Sequence, residues 1–377
     1  MSPVGRALET DGYVLLVITL VVQVAFFYYL IRGRRGQRIQ EAVEQRIHHR
    51  LLSVLVTLFL YLTLYRLVLL PVNYAGYRIH RFYGVATQSD LHWIADVLRS
   101  WAVNTCVIVP VLMLLLWAMN RWPRRWWLAA TALMALTSAI VIYLAPLIVD
   151  PLFHHFTPLK DPALRQSILD LAARAHVHVN GVYEGQFSST TTEGNAYVTG
   201  LGSSQRIVVW DTIVKNKPYP LPELNSILAH ELGHYALHHI FKGLLLGILG
   251  SGILFYLVHR ILLLGIHQGW VRRMGEPAVV IPLAASLIAL NWVSLPISNA
   301  VSRTMESQAD QFSLHLTHNP AAFIASMQRL CRQDKDDPWP NSFQKWVFYT
   351  HPSIAERIHA AFVYAQENRL PVQQAAH

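Results

Sequence analysis

His230-Glu231-Leu232-Gly233-His234 sets two imidazoles four residues apart with a carboxylate beside the first. On an α-helix, positions four apart share a face, so His230 and His234 can hold one metal ion between them. Glu231 then lies where it can take a proton from water that the metal activates. Pro222 opens the helix that carries the motif, with Leu224, Ile227 and Leu228 on its apolar side. A competing reading is coincidence: the chain has 19 histidines against 22 acidic residues, so such a pair also arises on an ordinary polar helix. A catalytic zinc takes three protein ligands and leaves one position open, so the motif directs the search to a later carboxylate. In Ser302-Arg303-Thr304-Met305-Glu306-Ser307-Gln308-Ala309-Asp310, Glu306 is the candidate third ligand. Asp310, one turn further on the same face, is placed to accept a hydrogen bond from a ligating histidine and fix its tautomer. Arg303, Glu306 and Asp310 are also spaced as surface ion pairs.

The 377 residues are 53% hydrophobic and 14% charged, against about 25% charged in soluble domains, so the composition is that of a multi-pass membrane protein. Residues 13–31, 51–72, 101–119, 126–148, 244–264 and 279–300 form six apolar segments. Each has the length of about 20 residues that a hydrocarbon core requires. The first is followed by arginines and no small-residue cleavage site, which reads as an anchor rather than a removed signal. The formal charge of +9 comes from basic residues beside apolar segments, and no nucleic-acid motif is present. Arg32, Arg34, Arg35 and Arg38 read as a membrane flank, and His238 with His239 as an interfacial histidine pair. Cys106 and Cys331 lie in different settings and define no disulfide framework or cysteine metal site. Between the fourth and fifth segments, Asp161-Pro162 reads as a helix start. Residues 177–183, 196–199 and 206–210 are short β-rich runs. Helical stretches are expected near 302–316, 320–332 and 352–364.

Around the motif, an ordered series resembles the type I CAAX prenyl endopeptidases, integral-membrane zinc metalloproteases. It runs through Arg81-Phe82-Tyr83-Gly84, Ala145-Pro146-Leu147, Phe156-Thr157-Pro158-Leu159 and Asn195-Ala196-Tyr197-Val198-Thr199-Gly200. Arg206-Ile207-Val208-Val209-Trp210-Asp211-Thr212, the histidine motif, Ser302-Arg303 with Glu306 and Asp310, and His351-Pro352-Ser353 with Glu356-Arg357 continue it. The resemblance implies a mainly α, polytopic helical membrane protein with a zincin-like zinc metalloprotease domain containing a small β-sheet. It implies one Zn²⁺ per chain held by His230, His234 and Glu306, with Glu231 as general base and acid. Asn195 and Ala196 correspond to a strand that pairs with the substrate backbone, although Asn195 alone reads as a turn residue after Gly194. His351 corresponds to a histidine that stabilises the oxyanion, although alone it reads as a helix-start residue. Arg303 is expected to orient Glu306 or Asp310.

The organisation expected is a membrane region over 1–148, a first part of the metalloprotease domain over 149–240, a two-span hairpin over 241–300 and a second part over 301–377. The partners expected are a peptide or protein substrate, prenylated or membrane-associated, and membrane lipids, with no nucleic acid. Two other functions stay open at this point: a membrane quality-control protease without prenyl specificity, and a non-enzymatic membrane protein keeping the fold. The side of the membrane also stays open. Arginine-rich loops put the metal domain outside the cytoplasm by the positive-inside rule, whereas the family resemblance, whose eukaryotic members have seven spans, puts it inside.

Overall fold

The computed structural model describes residues 3–200, 202–216 and 218–372. Among them, six helices are long and apolar enough to cross a membrane, matching the six segments read from the sequence. The chain begins with α1 (Pro3–Arg32), the short α2 (Arg35–Arg46), α3 (Arg50–Phe82), α4 (Asp90–Arg121) and α5 (Trp126–Leu144). Several helices run well past their apolar stretch. α3 has 33 residues and α4 has 32, about 50 Å at 1.5 Å per residue, against a hydrocarbon core of about 30 Å. Their connection, ending at the Ser89 cap of α4, packs on a polar loop, where Thr87 N donates to Thr190 O at 3.0 Å.

A short α6 (Asp150–Phe153) leads into β1 (Phe156–Pro158), α7 (Pro162–Arg174), β2 (Val182–Gly185), β3 (Ala196–Thr199) and β4 (Arg206–Trp210). α7 starts as the sequence indicates: the Asp161 carboxylate accepts from the backbone N–H of Ala163 and Leu164, with Pro162 in the first turn. The sheet order is β1-β2-β4-β3, with β2 parallel to β4 and the outer pairs antiparallel. β4 is buried on both faces (Ile207, Val208 and Val209 all 0% exposed), and β3 is an edge strand. Ile168 and Leu171 of α7 pack with the sheet against Leu224, Leu228 and Leu232 of α8 (Leu221–Ala236).

α8 stops at a left-handed His238 (φ 57°), and α9 (His239–His267) runs back through the apolar layer. α10 (Val280–Thr317) is one continuous helix of 38 residues, joining the sixth apolar segment to the stretch carrying Glu306. The sequence reading had separated these two, because the apolar window ends near residue 300. The two prolines expected to break this segment do not end it. Pro282 lies in the first turn, where a missing N–H costs nothing. The helix continues through Pro296 and carries polar residues beyond the apolar window. The boundaries expected at 240/241 and 300/301 therefore fall inside α9 and α10. The chain ends in α11 (Pro320–Asp334), α12 (Ser342–Phe348) and α13 (Ile354–Glu367).

The turns α1–α3, α4–α5 and α9–α10 meet at one end of the helices. There Asn120 Nδ2 donates to Gly275 O at 2.7 Å and Arg272 pairs with Glu41 at 3.2 Å. Both His230 on α8 and Glu306 on α10 lie at the opposite end, near the start of α1, where Glu9 accepts from Tyr349 OH.

Candidate active site

The site forms where α8 crosses α10. Gly233 permits the approach: a Cβ there would sit 3.1 Å from Phe312. Ser313 Oγ, donating to Ser226 O at 2.7 Å, ties the helices one turn away. This crossing brings His230, His234 and Glu306 together, with ligand atoms all within 4.8 Å of one another. His230 Nε2 lies 3.2 Å from His234 Nε2 and 3.1 Å from Glu306 Oε2, and His234 Nε2 lies 3.6 Å from Glu306 Oε1. Ligand atoms set tetrahedrally at about 2.0–2.1 Å around an ion would be ~3.3 Å apart.

The hydrogen bonds behind these atoms decide what the site can accept. His230 Nδ1 lies 2.8 Å from Asp310 Oδ1, an acceptor, so Nδ1 carries the proton and Nε2 offers a lone pair. His239 Nε2 donates to Gln308 Oε1 (3.0 Å), so its Nδ1 accepts from His234 Nδ1 (3.1 Å), and His234 Nε2 also offers a lone pair. Glu306 Oε2 is buried and makes no hydrogen bond among the described residues. Two imidazole nitrogens and a carboxylate oxygen thus converge on one point. A cation, whether a metal ion or a proton on His230, satisfies that arrangement, and a packed apolar core does not. Burial opposes charge on His230, but Asp310 and Glu306 outweigh it and raise its pKa to about 9. The carboxylates that would hold a proton there favour a metal ion in its place.

Arg357 of α13 grips Asp310 with two bonds, Nη2 to Oδ1 at 2.6 Å and Nε to Oδ2 at 2.9 Å. Burial lowers the Arg357 pKa, and Asp310 more than restores it. Arg303, expected to orient Glu306 or Asp310, instead donates to the carbonyls of Lys345 (2.9 Å) and Tyr349 (2.6 Å). It holds the segment leading to His351, because α12 and its exit lie against that face of α10. The interfacial reading of the histidine pair is likewise corrected for His239: the left-handed His238 turns it inward, where it is 4% exposed and bonded to His234. His351 Nε2 lies 3.2 Å from Glu306 Oε2, on the open side of the cluster.

A cavity of about 130 Å³ opens beside the cluster, lined among others by Asn195, His230, Glu231, His351 and Arg357. Burial is the main cause holding the Glu231 carboxyl above the usual carboxylate range, opposed by the two histidines. Asn195 is exposed and immediately precedes β3. Its carbonyl accepts from Trp210 N at 3.1 Å, continuing the ladder. Since alternate residues face opposite edges, the N–H and C=O of Ala196 point away from β4.

The C-terminal end of α11 clamps the approach to this strand, a feature the sequence did not announce. Gln333 Nε2 donates to Thr192 O (2.8 Å), and Asp334 Oδ1 accepts from Gly194 N (2.9 Å). Burial, reinforced by Asp336 and Glu193 and opposed by the Gly194 bond, pushes Asp334 from 3.8 up to about 8. The folded state therefore keeps a proton the unfolded chain has released, and stability is lost as pH rises from about 4 through about 8. Asp334→Asn keeps the acceptor and removes the charge. Its unfolding temperature at the alkaline end should exceed that of the parent by about 2 °C, and parallel pH profiles for the two proteins would refute the assignment.

Comparison with known proteins gives the arrangement its context. Residues 158–363 match peptidase family M48. Residues 7–155 match the family described as CAAX prenyl protease N-terminal, five membrane helices, where four of the six candidate spans lie. An uncharacterized metalloprotease, YhfN of Bacillus subtilis, is 32% identical over 355 residues, covering 93% of this chain and 82% of that protein. CAAX prenyl protease 1 of Saccharomyces cerevisiae is 26% identical over 336 residues, 80% of this chain and 70% of that one. The crystal structure of S. mikatae Ste24p shares the fold at a TM-score of 0.84 and 22% identity, covering 95% of this chain and 88% of that one. These matches disfavour the non-enzymatic reading. The chain belongs to peptidase family M48 and is a multi-pass integral-membrane metalloprotease similar to the CAAX prenyl proteases.

Proposed function

We propose that the chain is a zinc endopeptidase that cleaves extended peptides, with one zinc held by His230, His234 and Glu306. The observation carrying this reading is the convergence of three metal-ligating side chains at ion-sized spacing beside the edge strand β3. When bound, zinc supplies a Lewis acid and activates water for attack on a carbonyl. The protein's own residues do the rest. Glu231, its carboxyl raised by burial, takes the proton from the attacking water and returns it to the leaving amine. The Ala196 backbone pairs with the peptide as an added strand, with Asn195 at its start, which fixes register while leaving most side chains unread. His351, on the open side of Glu306, donates to the oxygen that gathers charge. Asp310 fixes the His230 tautomer and Arg357 fixes Asp310.

Prenylated or otherwise membrane-tethered peptides are the substrate class we assign, supported by the similarity to CAAX prenyl protease 1. A fluorogenic peptide ending in a farnesylated cysteine motif, assayed beside its unprenylated twin, tests this. The prenylated form should show kcat/KM higher by about tenfold or more, since remote apolar contacts contribute to transition-state binding. Equal turnover would remove prenyl preference and leave a general membrane peptidase. Metal analysis of the purified protein should find about one zinc per chain.

A further inference from the structure

At the end of the helices opposite the metal site, Arg32, Arg34 and Arg38 are all exposed. Their contacts among the described residues are with neutral groups only. Arg32 donates to Tyr28 OH, and Arg34 Nη2 donates to Gly269 O at 3.1 Å, whereas the Arg38 side chain makes no hydrogen bond. Nearby Arg272 differs, being paired with Glu41 at 3.2 Å and Glu276 at 3.3 Å. Glu41 is taken up by Arg272, so none of the three arginines has a carboxylate within ion-pair distance among the described residues, and a bound anion would offset their mutual repulsion.

The three arginines line a groove with two compartments. One, of about 570 Å³, is polar and includes Arg38, Gln37, Arg272 and Glu41, whose carboxylate is paired with Arg272. The other, of about 510 Å³, includes Tyr28, Ile31 and Trp270. Arg32 and Arg34 line both and so stand between them. α1 ends at Arg32 and α9 at His267, so the groove sits at headgroup depth, where Tyr28 and Trp270 suit a membrane interface. Below it, Val17 (60%), Val21 (61%), Val24 (60%) and Tyr28 (55%) form an exposed apolar stripe along one face of α1.

We propose that this groove binds an anionic phospholipid, with the phosphate held by Arg32, Arg34 and Arg38 and an acyl chain lying along the Val17–Val21–Val24 stripe of α1. Guanidinium groups bind phosphate oxygens in a fork, with direction as well as charge. A phosphatidylcholine headgroup brings its own cation into the arginines, and phosphatidylglycerol does not. The basic run therefore acts as a selective lipid site rather than only as a flank.

The test uses the full-length, metal-loaded protein in detergent, titrated with phosphatidylglycerol, phosphatidylcholine or inorganic phosphate, and read by unfolding temperature and by lipid retention in native mass spectrometry. Phosphatidylglycerol should stabilise the protein more than phosphatidylcholine and be retained preferentially. Each of Arg32→Gln, Arg34→Gln and Arg38→Gln should weaken apparent phosphatidylglycerol affinity by about fivefold, and the triple variant should abolish the preference while peptide cleavage continues. A triple Arg121→Gln, Arg124→Gln, Arg125→Gln, at the same end but outside the groove, should keep it. Equal stabilisation by both lipids overturns the proposal, as does equal loss in both triple variants, which marks diffuse surface attraction. Inorganic phosphate matching phosphatidylglycerol also overturns it. Arg38→Gln breaks no hydrogen bond in the structure, so it carries the test alone if the triple variant fails to fold.

Discussion

Glu231→Gln should yield a folded, zinc-loaded protein whose peptide cleavage is slower by about a thousandfold. The substitution keeps size and hydrogen-bonding capacity but removes the one function assigned to this side chain, acceptance of a proton. Glu231 lines the cavity beside His230 and His351, and the contacts that join the two histidines, Glu306 and Asp310 do not run through it. Metal content and unfolding temperature should therefore stay near those of the parent. Glu306→Gln should behave differently: it takes a charged donor from the cluster, so zinc and activity fall together. Two results would contradict the assignment. Turnover retained in Glu231→Gln would mean another base, and zinc lost with it would mean that Glu231 supports the cluster rather than the reaction. The pH profile adds a second check. Because burial raises the Glu231 pKa, the acid limb of kcat/KM should lie above the ordinary carboxylate range and be absent from the residual rate of the variant.

Some of this site was legible in the sequence because the relations involved are local. The spacing of His230 and His234 is a property of one helix, and so is that of Glu306 and Asp310. The apolar segments announced the spans for the same reason, and Asp161-Pro162 announced α7. What escaped depends on pairs of elements. Arg357 stands next to Glu356, which reads as a cap for its own helix; only the packing of α13 on α10 reveals the Asp310 partner. His239 reads in sequence as half of an interfacial pair, because no carboxylate nearby has metal-ligand spacing, and the left-handed His238 that turns it inward is a backbone choice that no residue pattern marks. β1 has three residues, too few for any alternation, and exists through its pairing with β2. Arg303 had a plausible acidic neighbour in sequence, yet the carbonyls at 345 and 349 are what the fold puts within its reach.

Arg357→Met should be the change outside the metal ligands that costs the fold and the metal centre most together. The Arg357 and Asp310 side chains are 10% and 4% exposed, and their two bonds are short. Removing the guanidinium leaves a buried carboxylate without its counter-charge, a loss of about 3–5 kcal/mol for pairs of this kind. Asp310 also fixes His230 through Nδ1, so the freed carboxylate can turn or take up a proton, and zinc affinity should fall by about 10–100-fold. Stability and metal affinity separate in the double variant Arg357→Met, Asp310→Asn. It has no buried charge to compensate, so much of the lost stability should return, while the Asn oxygen still accepts from His230 Nδ1–H. Chemical denaturation of the zinc-free proteins reads the first effect, and competition with a chelator reads the second. If the double variant were no more stable than Arg357→Met, the guanidinium would matter through packing against Phe323, whose ring it faces at 6.0 Å. If zinc affinity stayed at the parent value in Arg357→Met, the chain from Arg357 through Asp310 to His230 would not position the ligand. The expected pattern, a deep loss in the single variant and partial recovery in the double, requires the buried ion pair and the metal centre to act as one unit.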